Sequence, residues 1–257
     1  MKVVLFCGGM GTRLKEHSGT IPKPMVDIGY RPIMWHLMKY YAHYGFKDFI
    51  LCLGYKGDYI KDYFLNYNEA LSNNFVMSKG GREIRLYNKD IEDWNITFVD
   101  TGLNGNIGDR LMAVKDYLDG EEMFMANYTD GLTDLPLLQY LDDVYKSDKI
   151  ASLVAVKPSL TFHVVKMDGR NVQSIEMVQK TDLWVNSGFF VFKKDIFDYM
   201  RKGEELVLEP FARLIAENQL MAYQYEGFFV GMDTFKEKQM FDDMYNSGNM
   251  PWAVWLK

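Results

Sequence analysis

The chain has 257 residues, 48% of them hydrophobic and 25% charged, which predicts one globular domain with a sizeable core. Its formal net charge of -6 argues against a nucleic-acid partner, because non-specific binding to phosphate backbones needs a strongly basic surface. No apolar run approaches the roughly 18 residues of a membrane span, so we expect no membrane partner either.

Two cysteines, Cys7 and Cys52, lie in apolar strand-like runs. Isolated cysteines in such runs are typical of reduced, buried thiols in an intracellular protein. The sequence opens directly on an apolar strand, without the charged region, long apolar core and cleavage site of a signal peptide. We therefore expect a cytoplasmic protein.

Strand-length apolar runs alternate with helix-length amphipathic segments over the first 156 residues. The predicted strands are 3–6, 48–55, 96–102, 123–131 and 151–156, and the predicted helices are 33–45, 58–67, 108–118 and 135–147. Continuous apolar strands that are each followed by a helix indicate a parallel sheet covered on both faces. The fold class predicted is α/β, with a mostly parallel Rossmann-like sheet.

The pattern changes near residue 160. Residues 163–180 predict an antiparallel hairpin that turns at Asp168 and Gly169, a small β excursion from the main sheet. Strand and helix patterns then resume, with helices at 208–219 and 235–248. Since no linker composition interrupts the chain, we expect a single domain over 1–257. About 1–157 would form its nucleotide-binding half, and about 158–257 its acceptor-binding and oligomerisation half.

The stretch CGGMGTRLKEHSGTIPKPM, residues 7–25, follows the first strand. Its glycines would let the main chain approach a phosphate closely. Arg13 and Lys23 add two cations, as a triphosphate requires in an acidic protein. The spacing matches neither of the two commonest nucleotide-binding patterns, so a tight surface turn with incidental glycines is the alternative. Pro22 and Pro24 predict that Ile21 and Lys23 are held extended.

At these residues the sequence resembles the sugar-1-phosphate nucleotidyltransferases, with the motif L-x-x-GG-x-G-T-R-L followed by PKPM. The resemblance continues over nearly the full length, through YTDGLTDL (128–135) and NSGFFVF (186–192). The segments WNITFVDTG (94–102) and PWAVW (251–255) are closest to the glucose-1-phosphate cytidylyltransferases. The resemblance implies the fold of nucleotide-diphospho-sugar transferases. It also implies Mg²⁺-dependent transfer of CMP from CTP to a sugar 1-phosphate, by family default glucose 1-phosphate, which gives a CDP-sugar and pyrophosphate.

On the nucleotide side, the resemblance implies roles for eight positions. The residues expected to bind the nucleotide are Gly8, Gly9, Gly11, Thr12, Arg13, Lys23, Gly108 and Arg110. Arg13 would hold the pyrophosphate part and Lys23 would bridge to the α-phosphate, and these two are the expected catalytic residues. Arg110 would donate to the O2/N3 edge of cytosine, unless it is merely a solvated arginine in the first turn of a helix.

On the metal and acceptor side, Asp130 follows a predicted strand, at the edge where open α/β sheets bind ligands. It could also be part of a plain Asp-Gly turn. With Asp233 it would form a pair of carboxylates for Mg²⁺, the expected cofactor. Lys180 matches the lysine that holds the sugar phosphate, and Asn186 and Glu209 match positions lining the sugar. Glu209 could instead stabilise the dipole at a helix start.

Three positions depart from the family pattern, all on this side. Thr129 replaces a glycine before the metal carboxylate, and its side chain would enter a crowded metal site. Gln179 replaces a glutamate and keeps hydrogen-bonding capacity without charge. His163 replaces a glycine near the sugar and would either fill the acceptor space or offer a hydrogen bond. We count His163 and Gln179 among the acceptor-binding candidates.

The departures leave the acceptor open. One alternative is a CTP-dependent enzyme for another sugar 1-phosphate or a small phosphate or phosphonate, and another is a nucleotide-binding regulator without activity. The family resemblance implies a homo-oligomer. The aromatic C-terminus MPWAVW (250–255) predicts an exposed apolar patch for subunit contacts.

Overall fold

A seven-stranded sheet forms the centre of the computed structural model, which describes residues 1–9, 21–159 and 162–256. The strands in chain order are β1 Val3–Phe6, β2 Asp27–Ile28, β3 Arg31–Pro32, β4 Asp48–Leu53, β5 Phe75–Ser78, β6 Glu83–Leu86, β7 Asn95–Asp100, β8 Met123–Tyr128, β9 Gly131–Thr133, β10 Ala151–Val156, β11 His163–Asp168, β12 Asn171–Met177, β13 Val185–Lys193, β14 Leu220–Tyr225 and β15 Phe229–Gly231. The helices are α1 Ile33–His43, α2 Gly57–Leu65, α3 Ile107–Ala113, α4 Leu137–Ser147, α5 Glu209–Ala216 and α6 Phe235–Asn246.

The order across the central sheet is β14-β10-β13-β8-β1-β4-β7, and β13 alone runs antiparallel to its two neighbours. Helices cover both faces. On one face α1, α4 and α6 pack into a core that contains Tyr40, Tyr140 and Phe241, and on the other α3 and α5 contribute Leu111 and Phe211. The predicted mostly parallel α/β sheet is confirmed. The division of the chain near residue 157 stays a prediction.

Two antiparallel ribbons stand apart from the central sheet. The β11–β12 ribbon (residues 163–177) is the predicted hairpin, and Gly169 in its turn has φ 57°, a conformation that favours glycine. The β5–β6 ribbon (residues 75–86) was not predicted, because its short strands lie in a polar, glycine-containing stretch. The predicted helix 108–118 is shorter than expected and continues as a 3₁₀ helix, Lys115–Leu118.

The prediction of an exposed aromatic C-terminus is wrong. Trp252 is fully buried, and Ala253 and Val254 are buried beside it. The indole N–H of Trp252 donates to Nδ1 of His36 at 3.3 Å, and its ring meets Phe241 edge to face. Tryptophan has enough apolar area to serve as an anchor for a chain end when its N–H finds a buried acceptor. The C-terminus therefore completes the core around α1.

Candidate active site

The carboxyl ends of β1, β4 and β8 meet at one edge of the sheet, because the three strands are parallel neighbours. The antiparallel β13 begins at this same edge, where Asn186 pairs with Ala155 near the end of β10. The described residues 7–9 that follow β1, the turn after β8 and the start of β13 are thus brought together. Open α/β sheets bind ligands at such an edge.

Two carboxylates distant in the sequence converge here on one lysine. Strand β9 follows Asp130 and pairs with β15, which precedes Asp233, and Gly131 pairs directly with Gly231. The Nζ atom of Lys23 lies 2.6 Å from Oδ2 of Asp130 and 2.8 Å from Oδ1 of Asp233. The structure therefore gathers one expected catalytic residue and both expected metal ligands into one cluster.

The Lys23 ammonium is mostly screened from solvent, with 15% of its side chain exposed. Burial acts to lower the pKa of Lys23, but the charges and hydrogen bonds of Asp130 and then Asp233 outweigh it, so that the pKa lies above its usual value. Lys23 therefore stays charged in this cluster. The ammonium occupies the position where two carboxylates can bind a cation.

The main chain at Lys23 differs from the prediction of an extended conformation. Lys23 begins a 3₁₀ helix, Lys23–Met25, and the amide of Met25 donates to the carbonyl of Pro22 at 2.8 Å. Pro24 fits this first turn because an amide at that position would have no partner in the helix. Pro22 itself is extended, with ψ 148°. The prolines thus fix a bend that directs Lys23 toward the carboxylates.

The cluster suits Mg²⁺ by its donor chemistry. Mg²⁺ in proteins is commonly held by one or two carboxylates, and phosphate oxygens and water complete six oxygen ligands. Asp130 and Asp233 supply two carboxylates aimed at one cation position. Over the described ranges, no group of three or more His, Cys, Asp or Glu side chains could hold a metal ion. The chain thus offers a two-carboxylate site and leaves the remaining ligands to substrate and water.

The side chain of Thr129 is accommodated in the structure, directly before Asp130. Its side chain is buried, and its hydroxyl donates to the carbonyl of Phe6 at 3.0 Å. This hydrogen bond satisfies the hydroxyl and ties the end of β8 to the end of β1. Thr129 therefore braces the strand from which Asp130 projects.

Arg110 is 3% exposed, and its guanidinium donates to five protein oxygens. Nη1 donates to the carbonyls of Leu53 (3.3 Å) and Gly102 (3.0 Å) and to the hydroxyl of Thr101 (2.7 Å), and Nη2 donates to the carbonyls of Gly8 (3.0 Å) and Leu103 (3.3 Å). Arg110 is thus not the solvated arginine of the alternative interpretation. It clamps three chain segments at the nucleotide edge, and its role in reading the base stays a prediction.

Glycine is required beside this clamp. A Cβ atom on Gly8 would lie 2.1 Å from Cζ of Arg110, and one on Gly54 would lie 2.6 Å from its Nη1. The absence of a side chain at Gly8 thus lets the guanidinium of Arg110 approach the main chain closely, and the expected contact of Gly8 with nucleotide stays a prediction. Gly108 in α3 is buried against the carbonyl of Glu204, where a Cβ would lie 2.2 Å away. Its expected contact with nucleotide stays a prediction.

The remaining nucleotide-side residues lie partly outside the described residues. Gly9 is exposed at the end of the described segment that follows β1. Gly11, Thr12 and Arg13 fall outside the described ranges, so their predicted roles stay predictions. Cys7 and Cys52 are buried free thiols at the ends of β1 and β4. Burial raises the pKa of both thiols, that of Cys52 to about 12, so neither is an activated nucleophile.

The acceptor candidates occupy two places. Lys180 is exposed at the end of a 3₁₀ helix, Val178–Lys180, that follows β12 directly and contains the partly buried Gln179. His163 is exposed as the first residue of β11 and pairs with Met177. The base of the β11–β12 ribbon therefore carries three of the five candidates.

Asn186 and Glu209 are the other two candidates. Oδ1 of Asn186 accepts from the amide of Gly188 at 2.8 Å. Glu209 is the first residue of α5, and its Oε2 accepts from the amide of Glu205 at 3.1 Å. Both contacts are local ones that shape turns. A role in binding the acceptor stays a prediction for all five candidates.

Tyr128 was missed by sequence reasoning. It ends β8 two residues before Asp130, and its ring covers Gly188, where a Cβ atom would lie 2.2 Å from a ring carbon. Burial raises the pKa of Tyr128 to about 12, with further contributions from the charges of Glu205 and Asp130. The signal available in the sequence was the glycine inside NSGFFVF, which has φ 80° here.

The fold and this edge define an α/β nucleotide-binding enzyme of the nucleotide-diphospho-sugar transferase class. The sequence model of the family described as "Nucleotidyl transferase" matches residues 2–234. The chain therefore belongs to the nucleotidyl transferase family and is a nucleotidyltransferase.

Two curated relatives cover the whole chain. The chain is 38% identical to "Glucose-1-phosphate cytidylyltransferase" of Salmonella typhi, over 99% of this chain and 100% of the relative. It is 35% identical to "Probable glucose-1-phosphate cytidylyltransferase" of Bacillus subtilis, with the same coverage of both chains.

Solved structures of low sequence identity share the fold. A putative glucose-1-phosphate thymidylyltransferase from Bacillus anthracis superposes with a TM-score of 0.68, at 15% identity and 95% coverage of both chains. A UDP-glucose pyrophosphorylase in complex with UDP-glucose gives 0.66, at 18% identity, over 96% of this chain and 97% of that one. In the part of the chain that is described, no helix is long and apolar enough to cross a membrane. The cytoplasmic location stays a prediction.

Proposed function

We propose that this chain transfers CMP from CTP to a sugar 1-phosphate, with glucose 1-phosphate as the first acceptor to test. The observation that carries the proposal is the convergence of Lys23, Asp130 and Asp233 at the carboxyl edge of the sheet. The choice of CTP and of glucose 1-phosphate is supported by full-length identity to curated relatives named glucose-1-phosphate cytidylyltransferase.

In the proposed reaction, an oxygen of the acceptor phosphate attacks the α-phosphorus of CTP. A new P–O bond forms as the bond from the α-phosphorus to the oxygen bridging the β-phosphate breaks, and pyrophosphate leaves with that oxygen. No covalent enzyme intermediate is needed, because positioning and charge neutralisation supply most of the catalysis in phosphoryl transfer. The cluster supplies charges for this purpose.

Each residue of the cluster has a part in the proposal. Asp130 and Asp233 would hold Mg²⁺, which when bound would neutralise phosphate charge. Lys23, which contacts both carboxylates, would place its ammonium beside the α-phosphate, where negative charge develops. Arg110 holds Gly8 in place through its 3.0 Å hydrogen bond and so fixes the start of the loop expected to receive the triphosphate. Thr129 holds the turn that presents Asp130.

The second candidate is a CTP-dependent transfer to a different phosphorylated acceptor. It is favoured by the replacements His163 and Gln179 at the base of the β11–β12 ribbon, where the family pattern has glycine and glutamate. These two replacements change shape and charge on the acceptor side, while the described residues of the nucleotide side keep the pattern.

Pyrophosphate release distinguishes the candidates. The purified chain is given Mg²⁺ and CTP, UTP or dTTP, each with glucose 1-phosphate, other sugar 1-phosphates, and small phosphates and phosphonates. We expect release with CTP and glucose 1-phosphate, and loss of release in Asp130→Asn. Turnover with another acceptor that greatly exceeds that with glucose 1-phosphate would establish the second candidate. Absence of release with every pair would leave a nucleotide-binding regulator as the remaining interpretation.

A further inference from the structure

Lys157 is the first residue after β10, and its side chain links two segments beside the acceptor candidates. Its Nζ atom donates to the carbonyl of Thr181 at 2.9 Å. The same ammonium lies 4.1 Å from the centre of the Trp184 ring, which is a cation–π contact. The chain leaves the sheet at Lys157, forms the β11–β12 ribbon, and returns to the sheet just after Trp184. Lys157 therefore joins the two ends of this excursion.

The register of the sheet explains why Lys157 faces Trp184. Ala155 pairs with Asn186 near the end of the antiparallel pair of β10 and β13. Two positions further out, the same register sets Lys157 opposite Trp184. Residues directly opposite each other point to the same side of a sheet, and so do residues two apart along a strand. Lys157 and Trp184 therefore lie on the side of the sheet that Asn186 faces.

Lys157 also lies at the ligand-binding edge of the sheet. Strand β13 is antiparallel to both β10 and β8, so β10 and β8 run in the same direction and end at the same edge. Asp130 follows the end of β8 at that edge, and Lys157 follows the end of β10. Ligands of open α/β sheets bind at such an edge. The position of Lys157 is therefore one from which it can act on the site.

No carboxylate competes for the ammonium of Lys157 among the residues that the structure describes. Three other partly buried lysines, Lys23, Lys39 and Lys193, each form an ion pair with an aspartate. The described partners of Lys157 are instead a main-chain carbonyl and an aromatic ring. A hydrogen bond from a charged donor is shorter and stronger than one between neutral groups. The direction of this charge is thus set by the segment that it holds.

The segment that Lys157 holds is the turn of residues 178–181, which carries the candidates Gln179 and Lys180. Thr181 closes this turn, because its amide and its hydroxyl both donate to the carbonyl of Val178, at 3.2 Å and 2.7 Å. The carbonyl of the same threonine accepts from Lys157. One residue thus closes the turn and connects it to the end of β10.

We propose that Lys157 is a positioning residue of the acceptor site, which holds the turn 178–181 against the sheet edge on the side of Asn186. The two separate groups of acceptor candidates are thereby brought into one site, with Gln179 and Lys180 from the turn and Asn186 from β13. The inference rests on the proposed function, because it takes these residues to bind the acceptor. Lys157 acts through them and needs no contact with the acceptor itself.

Steady-state kinetics of pyrophosphate release test this role, with CTP and the acceptor that turns over best. Lys157→Met keeps the apolar stem and removes the charged donor. We expect the KM for the acceptor to rise about tenfold, as loss of one charge-assisted hydrogen bond implies, while the KM for CTP stays that of the wild type. Lys157→Arg can still donate to the carbonyl and stack on the ring, so it should restore most of the acceptor affinity.

Lys149 provides a matched control at the other end of the same strand. It precedes β10, is partly buried like Lys157, and donates to the carbonyl of Asn218 at 2.6 Å. Lys149→Met therefore removes a similar lysine-to-carbonyl hydrogen bond far from the ligand-binding edge. It should change neither KM.

Hydrogen exchange measured by mass spectrometry tests the link without any substrate. The amides of Val178 and Thr181 are hydrogen-bonded, so their exchange reports how often the turn opens. Peptides that cover residues 178–184 should exchange faster in Lys157→Met than in the wild type, and at the wild-type rate in Lys149→Met. Circular dichroism checks that each variant is folded, and Lys157→Gln replaces the methionine variant if that one is not.

The outcomes separate this inference from the proposed function. An unchanged KM for the acceptor in Lys157→Met, or unchanged exchange of residues 178–184, would overturn the inference and leave the proposed function intact. Equal increases in both KM values would also overturn it, because a general loss of structure affects both substrates. A wild type that releases no pyrophosphate with any acceptor would overturn the proposed function and this inference together.

Discussion

Replacing Lys23 by methionine should strengthen Mg²⁺ binding to the nucleotide-free protein even as it removes turnover. The ammonium lies 2.6 Å and 2.8 Å from the two carboxylates that would bind the metal, so the metal must displace it. Methionine keeps the apolar stem of lysine and removes only the competing charge. If Lys23 only supported the structure of the site, its replacement would weaken Mg²⁺ binding and turnover together.

The magnitude follows from the two ion pairs. The pair with Asp130 is largely buried on the lysine side, and the Asp233 side chain is 52% exposed, so that solvent screening reduces the second contribution. Charge-assisted hydrogen bonds of this kind contribute about 1 to 2 kcal/mol together, which corresponds to roughly 5- to 30-fold in metal affinity. The removal of one positive charge near the site acts in the same direction.

Isothermal titration calorimetry with Mg²⁺ alone measures the effect. Lys146→Met, which breaks an exposed ion pair with Asp142, is the matched control and should leave the metal affinity unchanged. Weaker Mg²⁺ binding by Lys23→Met than by the wild type would refute the idea that ammonium and metal share one position. Unchanged affinity would also refute it.

Three further expectations concern stability. Arg110→Met should lower the free energy of unfolding by about 3 kcal/mol, because four carbonyls and a hydroxyl lose their buried donor. Urea denaturation measures this change, and a decrease below about 0.5 kcal/mol would show that the hydrogen bonds of Arg110 do not hold these segments together. Burial lowers the pKa of His36 to about 4 from 6.5, so the unfolded chain binds more protons between these values, and stability should fall as pH decreases through this window. His36→Gln, compared across the same pH range, should remove that part of the decline, and an identical decline in both proteins would count against it. Gly188→Ala should lower the melting temperature by several degrees, because φ is 80° and the new methyl group meets the ring of Tyr128; an unchanged melting temperature would be inconsistent with that contact.

The sheet was predictable because its strands are buried on both faces. A strand buried on both faces is a continuous apolar run in the sequence, which can be recognised without knowing the strands that it pairs with. Strands β1, β4, β8 and β10 are all of this kind. The β5–β6 ribbon escaped prediction because an exposed two-stranded ribbon needs no such run. The C-terminal aromatic residues were misassigned for a related reason. Composition shows that Trp252 must be covered, but it does not show whether its own chain or another one covers it.

The cluster was predictable in its members and unpredictable in its contacts. Lys23, Asp130 and Asp233 were identified from their motifs, but only the pairing of β9 with β15 brings the two carboxylates together. The direction of Lys23 depends on a 3₁₀ turn rather than on an extended segment. The side chain of Thr129 could not be placed from the sequence, because its direction is set by a carbonyl on a neighbouring strand far away in the chain.

The same reasoning explains why the donor side of the reaction is easier to identify than the acceptor side. A triphosphate and its metal need main-chain amides, cations and carboxylates at one strand edge, and these positions follow from the sheet itself. The acceptor candidates Lys180, Gln179 and His163 lie instead at the base of the β11–β12 ribbon, which, among the residues that the structure describes, has no strand pairing with the central sheet. Their positions therefore do not follow from the sheet.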